Sequence, residues 1–450
     1  MSHRLGLVEC VSIALGGMIG GGIFAVLGVV AGITGPATWL AFVLAGVVAL
    51  CAGHSYTALN RLADERGGSV SFVQHFTGNT TAAGMLGWTL LFGYVGSMAM
   101  YAFAFGQFAL RLGLPEAAFG VPLRPLLSVT VVGTFVGLNL LGSRATGTVE
   151  NLLVGGKVGI LLALGVGGVV YATAIEPRPI SFGDGSLLTT GPVVAAAISF
   201  VAFQGWQLLF YDQPSIEDPA ETIRRAVYVA IPAAVGVYVL VAVTTTNLAS
   251  EALQSHPHTA LASAAEPMLG AVGYASVGVT AVAVAALFST GSAINATLFS
   301  SAHFASGMVS SNLLPDRVAD DSVEGVSARS LLVLGGVTAV LTGFGSLDAI
   351  TSFASLSFIV VFGVMSSIAF RHRDSDPVVG SVALGGVVGT AAFFPLMFSH
   401  LYRNEPETFL AVVALAVCAL VAELLYFERE SLQAEIEAFE ADLEAAFTDD

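Results

Sequence analysis

Lysine occurs once in this 450-residue chain, at Lys157, against fifteen arginines and 32 acids. Charge of either sign is scarce: 11% of residues are charged and 55% are hydrophobic, with a mean hydropathy of +0.82. A soluble domain is roughly 45–50% apolar and about 25% charged, so this composition excludes one and points to an integral membrane protein in contact with a lipid bilayer. The net charge of −16 repels phosphate backbones and argues against nucleic acid as a partner. Three cysteines, Cys10, Cys51 and Cys418, lie in or beside apolar runs and are odd in number, which argues against a disulfide framework. No His/Cys/acid cluster has metal-ligand spacing. "NLLVGGK" has Asn151 where a phosphate loop has its first glycine, and no Ser or Thr follows Lys157. No cofactor, metal or enzymatic chemistry is expected. Many acids with almost no lysine would suit a cytoplasm of very high salt.

Long apolar runs fill the rest of the chain, near 7–33, 36–60, 82–111, 123–142, 148–173, 189–212, 226–249, 268–311, 329–344, 348–370, 378–398 and 408–427. Most are long enough to cross a hydrocarbon core of roughly 30 Å as helices, and none shows the period of two of a membrane barrel. Twelve helices are therefore expected. The first run starts close to Met1 and no small-residue cleavage site closes it, so no cleaved signal peptide is expected. With the N-terminus in the cytoplasm, Arg4, Arg61, Arg66, Arg144, Arg224, Arg225, Arg317, Arg329, Arg371, Arg373 and Arg429 face inward. Only Arg111, Arg124, Arg178 and Arg403 face outward, which places both termini inside. After about residue 427 comes an acidic tail, 428–450, with Leu432, Ile436, Phe439 and Leu443 on one helical stripe. It reads either as a solvated segment or as one that docks on the body or pairs with a second copy, giving a homodimer.

"GGMIGGGIF", Gly16–Phe24, places five glycines in the first span. Each costs a helix interior about 1 kcal/mol relative to Ala. Two readings stand: a break whose backbone is satisfied by protein or a cavity, or close helix packing through small residues, for which Gly16 and Gly20 have GxxxG spacing. The sixth span is also interrupted, by Gln204, Gly205, Trp206 and Gln207 within "FVAFQGWQLLFYDQP". Interruptions at corresponding places of two halves point to a transporter's binding site at the bilayer midplane. A half-helix N-terminus suits a carboxylate, and unwound carbonyls suit an ammonium. Together they would receive an amino acid.

These stretches resemble the amino acid–polyamine–organocation transporters. "GGMIGGGIF" is similar to their first-helix motif, "FVAFQGWQ" with "EDP" and "RRA" to the sixth helix and its following loop, and "LFSTGSAINATLFSSAHFASGM" with "NLLPD" to the eighth helix and its exit. The resemblance covers roughly residues 5–430. It implies an all-α fold of twelve membrane helices, the first ten a five-plus-five inverted repeat (about 7–173 and 189–370) with helices 1 and 6 discontinuous, followed by two more at about 378–427. The implied activity is secondary transport of amino acids, proton-coupled or by exchange. By resemblance, backbone N–H groups of Gly20, Gly21 and Gly22 hold the carboxylate. Carbonyls near Ile19 and Phe203 hold the amine, Tyr94 lies near the substrate, and Trp206 gates the site beside Gln204 and Gly205. Two positions depart from the pattern: Gln207 replaces a common acid, and Arg225 a common proline.

Lys157 lies about nine residues into its span, on the order of 14 Å from the end at 1.5 Å per residue. A charge there costs at least about 2.5–3.5 kcal/mol. It reads as a proton-coupling group, a fixed structural cation or a snorkelling side chain. The resemblance implies the first, with Ser289 or Thr290 as the eighth-helix hydroxyl it works with. Tyr94 and Trp206 can equally be packing aromatics. For Asn139, Asn247, Asn295 and His303, interhelical hydrogen bonding suffices. The surroundings lean toward neutral over cationic amino acids.

Overall fold

The computed structural model describes residues 4–63, 67–141, 147–315, 318 and 327–427. The acidic tail, Arg66, Arg144, Arg317 and Arg429 lie outside the described residues. The long helices are α1 (Leu7–Thr34), α2 (Thr38–Ala63), α4 (Thr80–Leu110), α5 (Leu123–Leu140), α6 (Gly147–Val170), α8 (Pro219–Leu248), α12 (Ala275–Ser310), α13 (Ala328–Phe344), α14 (Leu347–Arg371), α15 (Gly380–Asn404) and α16 (Pro406–Phe427). The short ones are α3 (Ser69–Thr77), α7 (Gly191–Ile198), α9 (Ser250–Ser255), α10 (Ala260–Ser263) and α11 (Ala265–Gly270). A two-stranded hairpin, Ala117–Ala118 with Val121–Pro122, is the sheet structure among the described residues.

Eight segments of the described chain are long and apolar enough to cross a bilayer, and Leu7–Ala63 holds two of the helices. Gly191–Phe203, Ala328–Phe344 and Pro406–Val421 are apolar but shorter. Each expected span thus has its helix, with the seventh beginning at Pro219 rather than near 226 and the eighth moved as well. The eighth begins at Ala275 rather than near 268, because α11 ends at Gly270 and Gly273, at φ +83°, turns the chain before α12.

The packing has the symmetry of two repeated halves. Counting the interrupted stretch from Gly191 as the sixth span, α1 packs on the sixth, α2 on α8, α4 on α12, and α5 on α13. In these four cases a helix meets its counterpart five spans later, an arrangement compatible with inverted repeats.

The first span departs from expectation. It is helical without interruption through Gly16–Gly22. The physical reason is close approach: a Cβ on Gly17 would lie 2.7 Å from the Gly205 Cα, one on Gly20 2.6 Å from the Ala293 Cβ, and one on Gly22 2.9 Å from the Ala202 Cα. Only glycine lets α1 lie this near the sixth span and α12.

The sixth span is broken as expected. The helix α7 tightens into a 3-10 turn at Ser199–Phe203, Gln204 is extended, Gly205 adopts φ +128°, and a second 3-10 turn runs Trp206–Phe210. Freed backbone groups are satisfied by the protein, as a break at membrane depth demands. On α14, Ser355 Oγ donates to the Ile198 carbonyl (2.5 Å) and accepts from the Val201 N–H (3.1 Å).

Candidate functional site

Side chains from three helices converge on the glycine segment. The Lys157 ammonium of α6 donates to the Gly16 carbonyl at 3.0 Å, the Tyr238 hydroxyl of α8 to Met18 at 2.6 Å, and Ser289 Oγ of α12 to Ile19 at 3.0 Å. Tyr238 also reaches the Ala202 carbonyl, 2.9 Å away, so one hydroxyl ties α1 to the broken span. In an α-helix the carbonyls of residues 16 and 18 are the partners of the N–H groups of residues 20 and 22. The side-chain donors therefore sit on the bonds that would have to loosen for Gly20 and Gly22 to face a ligand.

Lys157 is 4% exposed, which removes snorkelling as its role. Ser289 meets α1, whereas Thr290 Oγ1 donates back to Ala286 within its own helix. Of the two hydroxyls, the structure brings Ser289 to the site.

On the broken span, Gly205 N–H donates to Gln207 Oε1 (2.6 Å), Gln207 Nε2 to Gln204 Oε1 (3.2 Å), and Gln204 Nε2 to the Tyr101 hydroxyl (2.5 Å). The Tyr101 ring lies against Gly21, where a Cβ would collide with it. Phe203 packs edge-on to Tyr238, with centroids 5.3 Å apart. Trp206 sits among Tyr56 (5.1 Å) and Phe362 (5.0 Å). Two polar atoms here lack hydrogen bonds while fully buried: Trp206 Nε1 and the Tyr94 hydroxyl, the latter with Gln207 and Tyr211 as polar surroundings. Buried polar groups are nearly always paired, so a ligand or another conformation would supply the partner of Trp206 Nε1, and Gln207 and Tyr211 are the side chains nearest to pairing with Tyr94.

All the candidate residues are buried, so this conformation is closed toward both faces. At one end, the segment between α8 and α12 crosses α1, the Pro257 carbonyl against Gly28. Arg111 of α4 binds Thr259 (3.1 Å) and Ser263 (2.8 Å) there. At the other end, Tyr56, Phe72, Phe210, Trp206 and Phe362 form an aromatic plug, and Ser69 Oγ links Tyr56 (2.7 Å) to Tyr211 (3.2 Å).

A family model described as "Amino acid permease" matches residues 5–427. The chain belongs to the amino acid permease family. The permease is 31% identical to the inner membrane transport protein YbaT of Escherichia coli, covering 88% of this chain and 90% of that one. It is 26% identical to the Asc-type amino acid transporter 1 of Mus musculus, covering 81% and 69%. A crystal structure of a manganese transporter mutant from Eremococcus coleocola shares its fold, with a TM-score of 0.58 over 94% of each chain at 12% identity.

Sequence reasoning missed Tyr101 and Tyr238 in the permease. Tyr101 carried a signal, lying seven residues after Tyr94 and so on the same helical face. Tyr238 is one of several hydroxyls in its run, with Tyr228 and Thr244–Thr246, so nothing in the sequence singled it out. Asn139 and Asn295 do bond each other across helices, at 2.7 Å. Asn247 instead clasps Ser181, accepting from its N–H (2.7 Å) and donating to its carbonyl (3.0 Å).

Proposed function

We propose that this permease is a secondary active transporter of amino acids, working by alternating access and driven by proton symport. The supporting observation is the convergence of Lys157, Tyr238 and Ser289 on the carbonyls of Gly16, Met18 and Ile19. Opening α1 at this turn would release the N–H groups of Gly20 and Gly22 toward a substrate carboxylate. The carbonyls they leave would keep side-chain donors, so the cost of opening is reduced. The amine would be received near Ile19 and Phe203, with Tyr94 and Trp206 completing the site. A charged ammonium holds the Gly16 carbonyl more strongly than a neutral amine does, which links the Lys157 proton to the state of α1.

Exchange without net proton coupling is the second reading, favoured by Lys157 already being engaged in the closed state as a fixed cation would be. A sensor that binds the same amino acid without moving it ranks third. The repeats are assigned to about 7–173 and 189–370, the membrane is the cell membrane, and both termini are cytoplasmic. Protons and a neutral amino acid are the transported partners.

Uptake into proteoliposomes, in high salt and with or without an inward proton gradient, tests the reading. Saturable uptake stimulated by the gradient is expected, and Lys157→Ala should remove the stimulation. Stimulation that survives in Lys157→Ala would leave another coupling group, uptake indifferent to the gradient in the wild type would favour exchange, and binding without flux in either direction would favour the sensor.

A further inference from the structure

We infer that Tyr101 donates its phenolic proton to the carboxylate of the carried amino acid, and that Gln207 and Gln204 are positioning residues that keep that proton available. This rests on the amino acid transport reading above and names a donor that reading lacks.

Backbone chemistry sets the polarity of the chain of bonds. A backbone N–H can only donate, so the Gln207 atom facing Gly205 at 2.6 Å is the oxygen. The Gln207 amide nitrogen is thereby turned to Gln204 and donates to its oxygen at 3.2 Å. The Gln204 amide nitrogen is turned in its turn to Tyr101, 2.5 Å from the phenol oxygen. The phenol is therefore an acceptor in this relay, and its own hydrogen is left to point elsewhere. All four groups are fully buried, where water cannot take that hydrogen. The neighbouring Ser97 has committed its hydrogen to the Gly93 carbonyl (2.9 Å) and offers at most a neutral lone pair. An ionised carboxylate is a stronger acceptor, by about twofold in bond strength. The Tyr101 ring rests on Gly21, in the middle of the proposed carboxylate site. A phenol hydrogen that otherwise has only the Ser97 lone pair thus lies beside the proposed carboxylate site, where an ionised group would out-compete that lone pair.

An acid at position 207 would reverse the relay. An ionised Glu would still accept from Gly205, yet it would need Gln204 to turn its nitrogen back. Gln204 would then present oxygen to Tyr101, and the phenol would give its hydrogen to Gln204 instead of to the substrate. A protonated Glu would act as the amide does, restoring the original direction.

Transport of tritiated L-amino acids, all twenty taken singly, in proteoliposomes of the full chain is the test. For those carried by the wild type, Tyr101→Phe should raise KM roughly tenfold or more, the loss of a hydrogen bond to a charged group, with Vmax changed far less. Gln207→Glu should raise KM similarly at pH 7.5 and recover as the pH falls toward 5. The double variant should be no worse than Tyr101→Phe alone. Competition by the corresponding amino acid amides, which lack the carboxylate, should be weak in the wild type and relatively stronger in Tyr101→Phe. Unchanged KM and unchanged amide discrimination in Tyr101→Phe would overturn the inference, as would additive, pH-independent losses in the double variant. If either variant fails to fold, the other carries its own arm of the test. A wild type that carries none of the twenty would overturn the transport reading instead.

Discussion

At the residue scale, glycine does two jobs. Gly205 needs its φ of +128°, and a Cβ there would also lie 2.7 Å from the Gly17 backbone. A residue held at such a φ costs about 1–3 kcal/mol, and overpacking adds a similar amount. Gly205→Ala and Gly17→Ala are expected to lower the thermal midpoint of the detergent-solubilised protein by several degrees or prevent its folding. Gly32→Ala, which would meet nothing within 4 Å on the same helix, should be neutral or slightly stabilising by up to about 1 kcal/mol. Equal midpoints for all three would contradict the packing role. Set beside the interrupted sixth span, the stretch 16–24 reads as a break, whereas in the closed state it is an unbroken packing face against Gly205, Ala293 and Ala202. Whether the same segment opens during transport is what the side-chain donors on Gly16, Met18 and Ile19 bear on.

At the scale of elements, the two closures behave differently. Residues 256–264 carry His258, whose burial holds its pKa below the ordinary imidazole value, with Asp348 opposing the shift and Arg124 adding to it. His258 Nδ1 is buried without a hydrogen bond, and the ring lies edge-on to Phe103 at 5.9 Å. A histidine whose folded pKa is depressed stabilises the folded arrangement above its unfolded pKa of about 6.5 and loses that contribution as the pH falls. Hydrogen-exchange protection factors in this segment, taken against the intrinsic rate at each pH, should therefore fall on acidification below about pH 6.5, and His258→Gln should flatten the response. Protection factors unchanged between pH 8 and 5 would show that His258 does not hold the segment down. The clasp between α1 and the broken span, by contrast, depends on one hydroxyl. Tyr238→Phe frees the Met18 and Ala202 carbonyls and should cost about 1–3 kcal/mol, read as a lower thermal midpoint with faster exchange in residues 199–207.

At the scale of the whole molecule, the arginine distribution predicts orientation. In a variant without Cys10, Cys51 and Cys418, a cysteine at the exposed position Asp184 should react with a membrane-impermeant maleimide from outside intact cells. One at the exposed Asp374 should react only after lysis. The reverse pattern would invert the topology. The four counterpart pairs, α1 with the sixth span, α2 with α8, α4 with α12 and α5 with α13, place the broken span and the glycine segment face to face at the centre. No single helix contains the site.

Hydropathy and charge are local quantities, so the chain alone determined the spans, the interruption at Gln204–Gln207 and the unusual standing of Lys157. Motif resemblance further specified the family. Partners are nonlocal: Lys157 meets a carbonyl 141 residues away and Ser289 one 270 residues away. Only the folded bundle could decide that Ser289 rather than Thr290 reaches α1, that the first-span glycines lie in an unbroken helix, and that Tyr101 meets Gln204 while Tyr238 bridges α1 and the broken span. Apolar periodicity states which segments enter the membrane, whereas hydrogen-bond geometry across helices depends on which faces the packing brings together.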